Sequence, residues 1–106
     1  MQQVLINLAL NAQRAMAETG GVLKVATSAA GGDMVQIVVS DNGPGITEAD
    51  LPHIFTPFFS RSGGTGLGLA LAAQIVKSHR GTIDVASEVG QGAIFTIRIP
   101  ASVSHD

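Results

Sequence analysis

The stretch SGGTGLGLAL, residues 62–71, decides the fold: four glycines within seven positions run straight into apolar helix formers. Glycine loses the most backbone entropy on folding, but it lets the chain take angles, and approach ligands, that other residues forbid. Several architectures place such a segment at a helix entrance. A phosphate-binding loop of the nucleoside-triphosphatase kind requires Lys and then Ser or Thr after its last glycine, whereas Leu69 and Ala70 follow here. A dinucleotide fingerprint requires a strand immediately before it in a parallel unit. Residues 41–65 are instead a long stretch rich in Gly, Pro and Ser. What remains is a helix opened by the free N–H groups of Gly66, Leu67 and Gly68, whose dipole favours negative charge at that end. On these residues alone a phosphate seat and a plain flexible loop both stay open.

Working outward, GLGLALAAQIVKSHR (66–80) reads as a mostly buried helix with Gln74, Lys77 and Ser78 as its wet stripe and Gly81 placed to end it. Residues 2–18 carry Val4, Leu5, Leu8, Ala12, Ala15 and Met16 at helical spacing, with Gln3, Asn7, Asn11, Arg14 and Glu18 on another face. Gly20 and Gly21 stop that helix. VLKVATSA (22–29) and MVQIVVSD (34–41) suit strands turning through Gly31-Gly32-Asp33, and TIDVASEV (82–89) and AIFTIRIP (93–100) suit a second hairpin around Gly90-Gln91-Gly92. A short helix is expected near TEADLPHIF (47–55), with Thr47 as its cap and Asp50 at the third helical position. The order predicts an α/β (α+β) two-layer sandwich, a largely antiparallel mixed sheet with both helices on one face.

The bulk composition excludes several functions. The chain has 106 residues, one domain's worth, and its only aromatics are four Phe, so the core is small and aliphatic. A net charge of −2 with scattered basic residues gives no field toward nucleic acid or membrane. The absence of cysteine excludes disulfides and thiolate metal sites. No apolar run is long enough to span a bilayer, and the N-terminus lacks the regions of a signal peptide.

Two further elements stand near the glycine loop. DNGPGI (41–46) directly follows a strand, so Asp41 offers a fixed carboxylate beside a chain that Gly43 and Gly45 let approach closely. A carboxylate only accepts, and suits an amino group such as that of adenine; a turn built from ordinary turn residues is the alternative. Asn7, Asn11 and Arg14 share one helix face. Asparagine is disfavoured inside a helix unless it finds partners. An amide oxygen suits Mg²⁺ and a guanidinium suits phosphate, and a solvated helix face is the alternative.

Together and in this order, these elements resemble the ATP-binding catalytic domain of bacterial sensor histidine kinases, in the GHKL superfamily with its Bergerat-type fold. NLALNAQRAM (7–16) resembles the N box, DNGPGI the G1 box, FTPFF (55–59) the F box, GGTGLGLA (63–70) the G2 box, and GQGAIFTIRIP (90–100) the closing hairpin. Ala15-Met16 is most similar to the nitrogen-regulation and oxygen-sensing kinases. The resemblance implies that Asn11 holds a Mg²⁺ bridging the phosphates of ATP, with Asn7 supporting it and Arg14 touching phosphate. It implies that Asp41 accepts from the adenine amino group and that Gly43, Gly45 and Ile46 line the base pocket. Residues from about His53 to Gly66 become a lid over ATP, with Arg61 at the γ-phosphate. Gly64, Thr65, Gly66, Leu67 and Gly68 then seat the phosphates. Phe55, Phe58 and Phe59 either pin the lid to the body or belong to the ordinary core.

The implied activity is ATP-dependent protein-histidine kinase, a transferase of two-component signalling. ATPases of this superfamily carry a Glu base where this chain has Asn7, and an amide takes no proton, so strong hydrolysis of ATP is not expected. An imidazole is a better nucleophile than water, so transfer to histidine needs mainly positioning and charge stabilisation. His53, His79 and His105 do not sit in the family's acceptor pattern, which implies a histidine on a separate dimerisation domain, a response regulator downstream, and a cytoplasmic setting. The family has a strand and more of the first helix upstream, so residues 1–106 are expected to be this domain short of its N-terminal part, with a sheet edge unpaired. Departures are Ala15 where many relatives have an aromatic, Ala93 for a commoner Thr, and Arg80 for a Gly. A nucleotide-sensing module without catalysis and a serine kinase of the anti-sigma type are the alternatives.

Overall fold

The computed structural model describes residues 2–16, 20–29, 31–57 and 68–100. Their order is α1 (Gln2–Ala15), β1 (Leu23–Ala29), β2 (Met34–Asp41), a 3₁₀ turn (Leu51–His53), α2 (Gly68–Ser78), β3 (Thr82–Glu88) and β4 (Gly92–Pro100). The four strands form one sheet in the order β1-β2-β4-β3. All three pairings are antiparallel. The two hairpins thus join at the centre of the sheet through β2 and β4, strands far apart in sequence.

Side chains alternate across a strand, and one parity of this sheet is apolar. Ile37 and Val39 of β2 and Ala93, Phe95 and Ile97 of β4 are buried, with Ile83 and Val85 of β3 packed beside them. Val4 and Leu8 of α1 and Ala72 and Val76 of α2 close the core from above. α1 lies against β2, α2 against β3, and the helices against each other. This is the two-layer sandwich expected. β1 lies beyond the helices: Val25 stands on the helix side opposite Val39, yet is 53% exposed. Gln74, Lys77 and Ser78 are exposed as the wet stripe requires.

Two local expectations are refined. The short helix expected near 47–55 is a 3₁₀ segment over Leu51–His53, preceded by a turn at Thr47 and with Pro52 in its first turn. The Thr47 hydroxyl does accept the Asp50 N–H, at 3.2 Å, but the Thr47 carbonyl takes both the Asp50 and Leu51 N–H groups at 3.0 Å. The carbonyl thus closes a tight turn, and a proline so near the start supplies no N–H to lengthen it. Ile54 is buried and Phe55 meets Phe95 edge to face, centroids 6.3 Å apart, which anchors the segment to the body. Phe58 and Phe59 lie outside the described residues.

The second concerns how α2 ends, where Gly81 takes part in the cap but is not its left-handed residue. Gly81 donates to the Val76 carbonyl at 3.0 Å and Arg80 to the Lys77 carbonyl at 2.9 Å, the paired bonds of a Schellman motif. The left-handed position of that motif is Arg80, φ 62°, the only described non-glycine with positive φ. Gly81 serves a different need: a side chain there would strike the Arg98 carbonyl and Ile99.

A bulky residue in the left-handed region costs about 1–2 kcal/mol, part of which glycine returns as unfolded-state entropy. Arg80→Gly is therefore expected to stabilise the chain by about 1 kcal/mol, raising the thermal midpoint by several degrees, as read by calorimetry. An unchanged or lowered midpoint would show that Arg80 is held there without strain.

Candidate functional site

Asp41 ends β2. The strand register sets it in one rung with Leu23, Ala93 and Ser87, on the helix side of the sheet. Ala93 is buried and Asp41 and Ser87 are half-buried, so the small Ala93 methyl lies between two polar side chains. Asp41 Oδ1 accepts the Gly43 N–H at 2.9 Å, which turns the chain immediately after the strand. A carboxylate has about four acceptor sites, so this bond leaves capacity for an external donor.

The loop from Asn42 to Ile46 lies on the β3–β4 turn. The Gly90 N–H donates to the Pro44 carbonyl at 2.7 Å. Ile46 N–H donates to Ser87 Oγ at 2.8 Å, and that hydroxyl donates to the Gly92 carbonyl at 2.6 Å. The backbones are so close that two glycines are obligatory. Gly45, φ 81°, would drive a Cβ into the Glu88 backbone, and Gly92, φ 99°, would drive one into the Asp41 carbonyl. Asn42 Oδ1 accepts the Val22 N–H at 2.7 Å and ties the loop to the start of β1.

α1 bounds the other side. At its C-terminal end Met16 closes on Gly43, whose Cβ, if present, would lie 2.9 Å from Met16 Cγ. Near its start Asn7 Nδ2 donates to the Gly68 carbonyl at 3.2 Å while its Oδ1 accepts from Gln3 Nε2 at 2.9 Å. Asn7 therefore binds α1 to the first residue of α2, with both ends of its amide engaged. Asn11, half-buried, follows one turn and about 6 Å further along the axis. Along the helix axis it lies between Asn7, which meets Gly68, and Met16, which meets Gly43. Arg14 is exposed.

Of the residues singled out from sequence, Asp41, Gly45 and Ile46 meet the β3–β4 hairpin, Gly43 lies between Asp41 and Met16, and Asn7 meets Gly68. Arg61, Gly64, Thr65, Gly66 and Leu67 lie outside the described residues. The sequence reading missed Ser87 and the packing of Met16 on Gly43. Ser87 had a signal: Ile83, Val85 and Ser87 share the inward parity of β3, so a hydroxyl ends an apolar face. A shallow cleft lined by Val22, Lys24, Ser40, Asp41 and Asn42 includes none of the α1 residues. Among the described residues no three His, Cys, Asp or Glu gather as a metal cluster.

Comparison with known proteins gives a consistent picture. Residues 1–103 match the profile of the family described as histidine kinase-, DNA gyrase B-, and HSP90-like ATPase. The sensor histidine kinase ZraS of Klebsiella oxytoca is 47% identical over 103 residues, 96% of this chain and 22% of that protein. The chain thus spans about a fifth of the length of the curated relatives it matches. Among solved structures, full-length ShkA in complex with AMPPNP superposes with a TM-score of 0.82 at 35% identity, over 92% of this chain and 20% of that one. The nucleotide-free catalytic domain of the histidine kinase ThkA gives 0.78 at 35%, over 93% and 63%.

The close backbone approach at Gly45 makes a direct prediction. Gly45→Ala combines a left-handed φ with a collision against main chain, and is expected to destabilise the chain by more than about 2 kcal/mol in urea unfolding. A loss below half that value would mean the loop leaves the hairpin at little cost.

Proposed function

The chain belongs to the histidine kinase-, DNA gyrase B-, and HSP90-like ATPase family, and from that premise we propose that it is the ATP-binding catalytic module of a sensor histidine kinase. In this reading it presents the γ-phosphoryl group of ATP to a histidine on a separate dimerisation domain, from which a response regulator is served, in the cytoplasm. The observation that carries the reading is Asp41 at the end of a central strand. It is half-buried beside the small Ala93, with an acceptor still available and a closely packed glycine loop as the adjoining wall. ShkA, bound to an adenine nucleotide analogue, shares the fold. No described helix is long and apolar enough to cross a membrane.

In this reading the Asp41 carboxylate accepts from the exocyclic amine of adenine, and Ile46, packed against the core, lies beside the ring with Gly43 and Gly45. Asn11 is the candidate Mg²⁺ ligand. A single amide oxygen fits an ion that keeps several waters and otherwise binds phosphate oxygens. The exposed Arg14 and the start of α2 at Gly68 meet the phosphates, and Arg61, Gly64, Thr65, Gly66 and Leu67 join them on sequence grounds. ATP with Mg²⁺ supplies the phosphoryl group and the charge neutralisation its transfer needs.

Asn7 separates this module from a hydrolase. Its amide cannot accept a proton from water, and its nitrogen is occupied by the Gly68 carbonyl. An imidazole needs no such base, because its neutral nitrogen attacks phosphorus directly as the bond to ADP breaks.

Calorimetric titration with AMPPNP and Mg²⁺ tests the reading. Asp41→Ala is expected to weaken binding about ten- to a hundredfold, the loss of a charged acceptor, and Asn11→Ala to remove the gain that Mg²⁺ brings. In a longer protein carrying this chain, Asn11→Ala is expected to abolish acid-labile autophosphorylation. Asp41→Ala binding as well as the parent would contradict the nucleotide site. Binding without acid-labile phosphate would leave a sensing module, and acid-stable phosphate a serine kinase.

A further inference from the structure

We infer that Ser87 is a positioning residue for the nucleotide: its hydroxyl fixes the wall formed by loop 42–46 relative to the Asp41 carboxylate. The inference rests on the nucleotide-binding reading above and adds to it a residue that touches neither base nor phosphate. Ser87 occupies the same rung as Asp41, with only Ala93 between them. Its oxygen accepts from Ile46 N–H at 2.8 Å and its proton goes to the Gly92 carbonyl at 2.6 Å. One hydroxyl thus joins the end of the glycine loop to the first residue of β4. Gly92 in turn is pressed against the Asp41 carbonyl. Ser87 thus links Ile46 to Gly92, Gly92 meets Asp41, and the chain from Asp41 to Ile46 completes the ring.

The Pro44–Gly90 bond is the other polar link from this loop to the hairpin, and it lies near the tip. Without the hydroxyl, that bond still holds the loop tip. The Ile46 end, which faces the base, loses its fixed distance. The Ile46 N–H and the Gly92 carbonyl would also lose a partner in a part-buried place, which favours rearrangement of the loop over retention. A residue that sets the pocket wall should therefore affect nucleotide affinity more than folding.

The test uses AMPPNP with Mg²⁺, by calorimetry, at a temperature where circular dichroism shows each variant folded. Ser87→Ala is expected to bind about tenfold more weakly, the equivalent of one hydrogen bond. Ser87→Thr, which keeps the hydroxyl, is expected to stay within about threefold of the parent. Ser87→Ala binding like the parent, or both variants weakened equally, would overturn the proposal, the second because size rather than the hydroxyl would then matter. If Ser87→Ala does not fold, exchange of the Ile46 amide in the parent chain decides: protection without nucleotide supports the clamp, and exchange at the rate of an open loop refutes it. Failure of the parent itself to bind AMPPNP would instead refute the nucleotide reading on which the inference rests.

Discussion

The structure depends on one close approach of backbone to backbone, where the loop leaving β2 lies on the β3–β4 turn. Gly92 is pressed to the Asp41 carbonyl and Gly45 to the Glu88 backbone, with the Pro44 and Ser87 bonds alongside. Side chains at either glycine would hold the loop off the hairpin. The carboxylate at the end of β2 would then face open solvent. Glycine takes the left-handed backbone at both positions without a steric penalty, and the Pro44–Gly90 and Ile46–Ser87 bonds hold the two segments together.

The second constraint is the placement of α1. Its inner face packs Val4, Leu8 and Ala12 into the core, while Asn7 and Met16 reach elements more than twenty residues away in sequence: the start of α2 and the Asp41 loop. The helix thereby sets the spacing between the start of α2 and the loop that follows Asp41. Asn11, half-buried, lies on the helix axis between those two contacts and is the residue proposed above for Mg²⁺. Asn7, whose amide nitrogen donates to the Gly68 carbonyl, is a tie between the two helices.

Much of this was legible in the sequence, for reasons particular to each element. The two hairpins follow from alternating apolar strands broken by glycine turns, and the observed β2 matches its predicted limits. Long-range pairing of β2 with β4 has no local signal, and neither does the rung that sets Asp41 beside Ala93. The short helix expected near 47–55 is a 3₁₀ segment over Leu51–His53, kept short because Thr47 and Pro52 favour a tight turn over propagation. The end of α2 was assigned to the visible glycine, Gly81, whereas the unusual backbone angle falls on Arg80. Ser87 went unread because a lone serine in a strand looks ordinary until parity shows that it points inward. The turn after β2 was readable because Asp41, Gly43 and Gly45 are turn residues directly after a strand, whereas Ile46 was singled out only through the family resemblance.

The most direct measurement of the central claim is a map of backbone amide shifts as ATP and Mg²⁺ are added to the isotopically labelled chain. If one ligand spans the Asp41 loop and the start of α2, the largest shifts will fall together on Asp41, Gly43, Ile46, Asn11 and Gly68, all with a single dissociation constant. Shifts confined to one of these groups, or spread over the exposed face of the sheet, would contradict a shared pocket.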